Sequence, residues 1–150
     1  MIVHRLTSRR YPLCDGEGAR LYGGRWNSPG RPVVYTASTQ SLAALEILAH
    51  SAALADDYIV VSISIPDALS MAEIPHAEPP DWETDTTRSI GDGWLVEGTS
   101  AILRVPSKVI PAESNYILNP AHEDFQRLII SGAEPFRFDR RLLERFLGSR

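Results

Sequence analysis

Residues 23–50 read GGRWNSPGRPVVYTASTQSLAALEILAH and hold a glycine turn, a strand and a helix in succession. Gly23-Gly24 favours a sharp turn directly before Arg25, because glycine adopts backbone angles that other residues avoid. After the Pro29-Gly30 turn, the β-branched and aromatic residues 32–36 predict a strand. The stretch therefore predicts a strand–helix unit with an arginine at its entrance.

The helix of this unit is predicted to begin at about Gln40, with Ser38 or Thr39 as its N-cap. Its leucines recur at helical spacing, which is typical of a helix that packs one side against a core. The predicted core-facing residues are Leu42, Leu45, Leu48 and Ala49.

Glu46 lies on the same side of this helix, four residues after Leu42 and four before His50. Residues at this spacing are neighbours on a helix surface. Because an unpaired carboxylate is costly to bury, two interpretations follow. Glu46 is either a boundary residue that faces water, or a functional residue with a cationic partner.

The rest of the chain predicts short elements with many turns. Further strands are expected at residues 2–6, 58–65, 101–105, 115–120 and 136–139. Helices are expected at 84–97, capped by Thr86, Thr87 or Ser89, and at 140–147, whereas residues 9–21 are predicted to be a loop. Short strands with few helices indicate an α+β fold of mixed small sheets, in one domain that spans residues 1–150.

The composition narrows the function classes. The net charge of −4 disfavours direct electrostatic binding of nucleic acid. No apolar run reaches the roughly 20 residues of a membrane span, and the N-terminus has no signal-peptide pattern. The single cysteine, Cys14, excludes an internal disulfide, so a cytoplasmic location is expected. The four histidines show no metal-ligand spacing, and no metal is expected.

Three side chains remain as candidates for chemistry. The guanidinium fork of Arg25 suits a diphosphate, and the ring of Tyr35 can stack on a flat heterocycle. The carboxylate of Glu46 can stabilise a positive charge that develops on a sugar, as in glycoside hydrolysis.

Two blocks in order, GGRWN-SPG-RPVVYTA…LEILAH and then W…GTSAILRVPSKVIPAESNYILNPAH, resemble the RES domain. This resemblance implies a toxin of a bacterial toxin–antitoxin pair, whose antitoxin carries an Xre-type helix-turn-helix. It also implies a fold similar to ADP-ribosyltransferase toxins and the consumption of NAD as substrate, with no other cofactor. Such proteins cleave the nicotinamide–ribose bond with phosphate or water as acceptor, or ADP-ribosylate a protein.

The resemblance implies roles for individual residues. Arg25 is expected to hold the NAD phosphates, Tyr35 to lie near the nicotinamide, and Glu46 to be the catalytic glutamate with His50 beside it. The family serine is matched to Ser107, because it ends a predicted strand, and Ser114 is the competing match. Asn115 is expected to contribute to NAD binding, whereas His122-Glu123 departs from the His-Pro that the family commonly shows.

Two other functions are weighed against this one. A ribonuclease-like toxin would use His50 or His122 with Arg25, and the net charge argues against it. A non-catalytic binding module would not need an arginine, a tyrosine and a glutamate together. The acceptor, the protein target, the stoichiometry with the antitoxin and a homodimer are left open by the sequence.

Overall fold

The computed structural model describes residues 1–11, 14–76 and 82–148, which form one sheet with helices packed on it. The strands are β1 Ile2–Ser8, β2 Val34–Ala37, β3 Tyr58–Ser64, β4 Ala72–Glu73, β5 Ile102–Pro106, β6 Ser114–Leu118, β7 Ile129–Ile130 and β8 Glu134–Pro135. The helices are α1 Glu17–Tyr22, α2 Gln40–His50, α3 Thr84–Glu97 and α4 Arg140–Gly148, with a 3-10 helix at Glu123–Arg127. This arrangement confirms the predicted α+β class.

The strand order is β4-β5-β6-β2-β1-β3-β7, with β8 also paired to β3. The pairs are antiparallel except β4 with β5, which is parallel. The longest pairing joins β1 to β3, from Ile2 opposite Ser64 to Ser8 opposite Tyr58. β2 therefore lies centrally, between β1 and β6, and the segments before and after it reach the middle of the sheet.

Helix α2 begins where the sequence predicts. The Thr39 hydroxyl accepts a hydrogen bond from the Leu42 amide at 3.0 Å, which confirms the predicted cap. Leu42 and Ala43 are buried, but Leu45 is 39% exposed and Ala49 is also exposed. The predicted core face was therefore wrong for those two residues, because α2 rests on the sheet through the side that carries Leu42 and Ala43.

Helix α1 lies in the segment that was predicted to be a loop. Gly16 precedes it with φ of 72°, a left-handed conformation that favours glycine. The Asp15 carboxylate accepts from the Glu17 amide at 3.0 Å, and Glu17 forms an ion pair with Arg20. These local contacts stabilise one short helix in a segment whose length and glycine content disfavour helix formation.

Two further local predictions were wrong. Residues 136–139 are not a strand, because Phe138 turns inward and packs edge-to-face against Tyr58 at 5.7 Å between ring centroids. Helix α3 has Glu83 at its N-cap position, so none of the predicted capping residues serves there. The Thr87 hydroxyl donates instead to the Arg25 carbonyl oxygen.

Apolar side chains pack on both faces of the sheet. One face carries a core built around Val3, Val34, Val61, Ile63 and Leu118. The other face carries two clusters: the α2 cluster, which includes Leu6, Leu42, Tyr58 and Phe138, and the α3 cluster, which includes Trp26, Trp94, Leu103 and Ile117. Within the described ranges, no helix is long and apolar enough to cross a membrane.

Candidate active site

A cleft of about 700 Å³ lies between the α2 cluster and the α3 cluster and is lined by members of both. This volume is within the range of ~300–1,000 Å³ that is typical of small-molecule sites. Of the residues singled out from the sequence, five line the cleft: Arg25, Tyr35, Glu46, His50 and Asn115. The fold therefore brings together residues from the glycine turn, β2, α2 and β6.

Both carboxylate oxygens of Glu46 are held in place. Oε1 accepts a hydrogen bond from the Ser107 hydroxyl at 2.9 Å, and Oε2 lies 3.0 Å from His50 Nε2. The Glu46 side chain is 21% exposed, so it faces the cleft from a largely buried position. Glu46 is therefore not a freely solvated boundary residue, but a partly buried carboxylate whose two oxygens both have hydrogen-bond partners.

Ser107 is completely buried directly after β5. While its hydroxyl donates to Glu46, it accepts from the backbone amides of Val109 and Ile110 at 3.1 and 3.0 Å. Ser114, the competing serine, accepts instead from Arg104 Nε at 3.0 Å. Of these two serines, Ser107 is therefore the one that orients the cleft carboxylate.

Arg25 reaches the cleft from the glycine turn with part of its guanidinium unsatisfied. Nη1 donates to the Trp82 carbonyl oxygen at 3.1 Å, and the guanidinium carbon lies 5.8 Å from the Trp82 ring centroid. Nε is buried and has no hydrogen-bond partner among the described residues. A buried unpaired donor is costly, and the guanidinium as a whole, which lines the cleft, suits a bound anion.

Arg5 is a second cleft arginine, which the sequence analysis did not identify. It lies on β1, its Nη1 donates to the Tyr35 carbonyl oxygen at 3.2 Å, and its buried Nε has no partner in the described chain. Burial lowers the pKa of Arg5 from its ordinary value, although an arginine stays charged at neutral pH. An arginine within the apolar pattern of β1 was the signal that could have identified it.

The Tyr35 hydroxyl has structural partners. It donates to Asn27 Oδ1 at 2.7 Å and accepts from the Trp26 amide at 3.0 Å. Burial raises the pKa of Tyr35 well above its ordinary value, so the phenol stays neutral. Asn27, also missed from the sequence, is fully buried and donates to the Ala19 carbonyl oxygen at 2.9 Å. The ring of Tyr35 therefore faces the cleft while its hydroxyl fixes the turn that carries Arg25.

We expect Tyr35→Phe to lower the free energy of unfolding by about 1–3 kcal/mol, because it leaves Asn27 Oδ1 and the Trp26 amide unsatisfied in a buried position. Ligand binding should weaken less than tenfold, since the ring that lines the cleft is retained. Chemical denaturation measures the first effect. A variant as stable as the parent protein would show that the hydroxyl does not hold the turn.

His50 and Asn115, the other cleft residues predicted from the sequence, differ in exposure and in hydrogen-bond partners. His50 is exposed, and its contact in the site is Glu46. Asn115 lies on β6 opposite Ala37, and its side-chain amide donates to the Thr36 carbonyl oxygen at 3.4 Å. His122, whose role the sequence placed in doubt, accepts from the Asp124 amide and caps the 3-10 helix.

The charges of the cleft suit an anionic ligand with a reactive centre near Glu46. Arg5, Arg25 and Lys108 supply three cations, whereas Glu46 supplies the carboxylate among the lining residues. In the part of the chain that the structure describes, no three side chains of the metal-binding types come close enough to hold a metal ion. The arrangement can bind phosphate groups and stabilise a developing cation.

Comparisons with known proteins agree with this picture. A family model described as the RES domain matches residues 2–139. A protein of Yersinia enterocolitica named Toxin Res is 40% identical over 95% of this chain and 99% of its own length. A protein of Sphingobium sp. named Prs ADP-ribosylating toxin is 34% identical over 92% of each chain.

A solved structure has the same fold. The crystal structure of the M. tuberculosis MbcT-MbcA toxin-antitoxin complex contains a chain that superposes with a TM-score of 0.71 at 19% identity. The match covers 99% of this chain and 89% of that one. These comparisons confirm the resemblance that the two sequence blocks indicated.

Proposed function

The chain belongs to the RES domain family, and from this premise we propose that it is the toxin of a toxin–antitoxin pair that consumes NAD by cleaving the nicotinamide–ribose bond. The observation that carries the proposal is the Glu46 carboxylate, held on both oxygens, in a cleft that is also lined by Arg25 and Arg5, whose buried Nε atoms have no hydrogen-bond partner among the described residues. This reaction needs a carboxylate of fixed orientation to stabilise the ribose cation, and cationic side chains to bind the diphosphate.

In the proposed reaction, the diphosphate of NAD lies against Arg25 and Arg5, and the ring of Tyr35 forms part of the wall for the nicotinamide. The bond between ribose C1′ and the nicotinamide nitrogen breaks, and its electron pair leaves with neutral nicotinamide. Positive charge develops on the ribose, where the Glu46 carboxylate stabilises it. An acceptor oxygen then bonds to C1′ and loses its proton.

Ser107 acts through Glu46 in this scheme. Its hydroxyl donates to Oε1, so the carboxylate is oriented before the substrate enters and needs little reorganisation during the reaction. His50 holds the second oxygen from the solvent side and Asn115 lines the cleft nearby. The acceptor is phosphate, water or a protein side chain, and the products distinguish these cases.

The direct test is incubation of the purified protein with NAD, with and without phosphate, followed by identification of the products. Release of nicotinamide supports the proposal. ADP-ribose identifies water as the acceptor, its phosphorylated form identifies phosphate, and a modified protein identifies transfer to a protein. Intact NAD together with cleaved RNA in a parallel incubation would favour the ribonuclease-like alternative.

The partner proposed for this chain is an antitoxin with an Xre-type helix-turn-helix. Support comes from the solved structure of similar fold, which is a toxin–antitoxin complex. An enzyme that drains NAD would harm its own cell unless a partner silences it. Copurification of the two proteins from one transcript, with suppressed NAD loss in the complex, would support this pairing.

We expect Arg25→Lys to weaken NAD binding about tenfold or more, because lysine keeps the charge but loses the planar fork that matches a diphosphate. Isothermal titration in a slow Glu46→Gln background measures the binding constant. Arg31→Lys is a suitable control, since Arg31 is exposed and does not line the cleft. Equal affinities of the Arg25→Lys and parent proteins would exclude a bidentate role for Arg25.

A further inference from the structure

Helix α3 contacts the backbone of residues 24–28, called the arginine loop, at several points. The Thr87 hydroxyl donates to the Arg25 carbonyl oxygen at 2.5 Å, and Arg88 Nε donates to the Gly24 carbonyl oxygen at 2.8 Å. Thr87 is completely buried, so its hydrogen bond is shielded from water. Two consecutive residues of one helix, Thr87 and Arg88, thus hold the carbonyl groups of Arg25 and of the residue before it.

The far end of the arginine loop is held by the next turn of α3. The Asp92 carboxylate accepts from the Ser28 amide at 2.9 Å and from the Ser28 hydroxyl at 2.6 Å. Between these contacts, Gly91 packs so close to the Trp26 backbone that an added Cβ would lie 1.6 Å from the Trp26 carbonyl oxygen. Side chains of α3 therefore hold both ends of the loop, and the two backbones approach closely at Gly91 and Trp26.

The residues just before α3 hold the side chain of Arg25. Trp82, two residues before the helix, accepts from Arg25 Nη1 at 3.1 Å and places its ring beside the guanidinium. The Trp82 ring is supported in turn by an edge-to-face contact with Trp26, at 6.1 Å between ring centroids. One segment of the chain thus determines both where the Arg25 backbone lies and where its guanidinium points.

We propose that α3 is the positioning element for substrate recognition, with Thr87 and Asp92 as positioning residues that act through Arg25. This inference rests on the proposed function, in which the ligand is NAD. The α3 residues Thr87, Arg88 and Asp92 do not line the cleft, so they touch no bound substrate directly. Their effect is to fix a glycine-containing loop that would otherwise sample many conformations.

The expected kinetic signature follows from where Arg25 acts. A loop that is less well fixed presents the guanidinium fork in the correct place for a smaller fraction of the time, which lowers the apparent affinity by that fraction. The bond that breaks lies at Glu46, whose partners Ser107 and His50 are outside α3. Loss of an α3 contact should therefore raise KM for NAD and leave kcat nearly unchanged.

The experiment compares Thr87→Val with Thr87→Ser. Valine has nearly the same shape but lacks the hydroxyl, whereas serine retains it. We expect Thr87→Val to raise KM about 3- to 10-fold, with kcat within about twofold of the parent, and Thr87→Ser to restore most of the affinity. Asp92→Ala should act in the same direction. Ser89→Ala, at an exposed position on the same helix, is the matched control.

A double-mutant cycle separates positioning from a general loss of stability. In an Arg25→Ala background, Thr87→Val should raise KM no further, because the side chain through which it acts is absent. An equal additional increase in that background, or a fall in kcat with KM unchanged, would overturn the inference. Thermal unfolding of each variant shows whether the compared proteins are folded.

Amide hydrogen exchange keeps the inference separate from the proposed function. The Gly24 amide donates a hydrogen bond to the Asn27 carbonyl oxygen, and the Trp26 amide donates to the Tyr35 hydroxyl. Exchange of these two amides therefore reports opening of the arginine loop. Thr87→Val should accelerate both, and Ser89→Ala neither. If the protein does not consume NAD but this exchange pattern is seen, the proposed function fails while the role of α3 in holding the loop stands. Unchanged exchange in Thr87→Val would overturn that role.

Discussion

Glu46→Gln is expected to lower NAD turnover at least ~100-fold while the fold stays intact. Glutamine has the same length and keeps an oxygen that can accept from the Ser107 hydroxyl, so the packing around residue 46 changes little. The negative charge is lost, and with it the stabilisation of the cation that develops on the ribose. NAD affinity should change far less than turnover, because the proposed reaction assigns the diphosphate to Arg25 and Arg5 and not to Glu46.

Turnover is measured by the release of nicotinamide at saturating NAD, and the binding constant by titration of the same variant. Glu97→Gln, at the exposed last residue of α3, provides a matched loss of one carboxylate outside the cleft and should be as active as the parent. A folded Glu46→Gln protein with normal turnover would remove Glu46 from the mechanism.

Gly91→Ala is expected to destabilise the protein by about 3 kcal/mol or more, although alanine is the better helix former by about 1 kcal/mol. The added Cβ would lie 1.6 Å from the Trp26 carbonyl oxygen and 2.7 Å from the Trp26 carbonyl carbon. Neither is the end of a flexible side chain, so α3 or the arginine loop must move. We therefore also expect a raised KM for NAD, because Arg25 lies next to Trp26.

Gly93→Ala is the matched control on the same helix. An added Cβ at Gly93 meets nothing within 4 Å, so this variant should be stabilised by up to about 1 kcal/mol. For a chain of this length, the expected loss in Gly91→Ala corresponds to a fall in Tm of roughly 6–12 °C. Equal Tm values for the two variants would show that α3 is not packed directly against the Trp26 backbone.

The sequence by itself determined the features that depend on near neighbours along the chain. The strand at β2 and the start of α2 follow from local propensity and from the Ser38-Thr39 pair before an apolar run, and the structure selects Thr39 as the cap. The Glu46–His50 contact follows from a spacing of four residues on a helix. The two motif blocks also sufficed to identify the RES domain family.

Local propensity was less reliable where weak signals competed. Helix α1 is six residues long and lies next to a left-handed glycine, so its pattern was too short to distinguish from a loop. At residues 136–139, alternation predicted a strand, but the aromatic contact of Phe138 with Tyr58 decided the conformation. In both cases packing and local hydrogen bonds outweighed intrinsic preference.

Only the tertiary structure decided which distant residues meet. The Ser107–Glu46 hydrogen bond joins residues that are 61 positions apart, and Thr87 reaches the Arg25 carbonyl oxygen across 62. Strand order and helix packing set such contacts, and no periodicity along the chain encodes them. The same reason explains why Arg5 was missed. The sequence predicted the strand that contains Arg5, but only the pairing of β1 with β2 brings its side chain to the cleft.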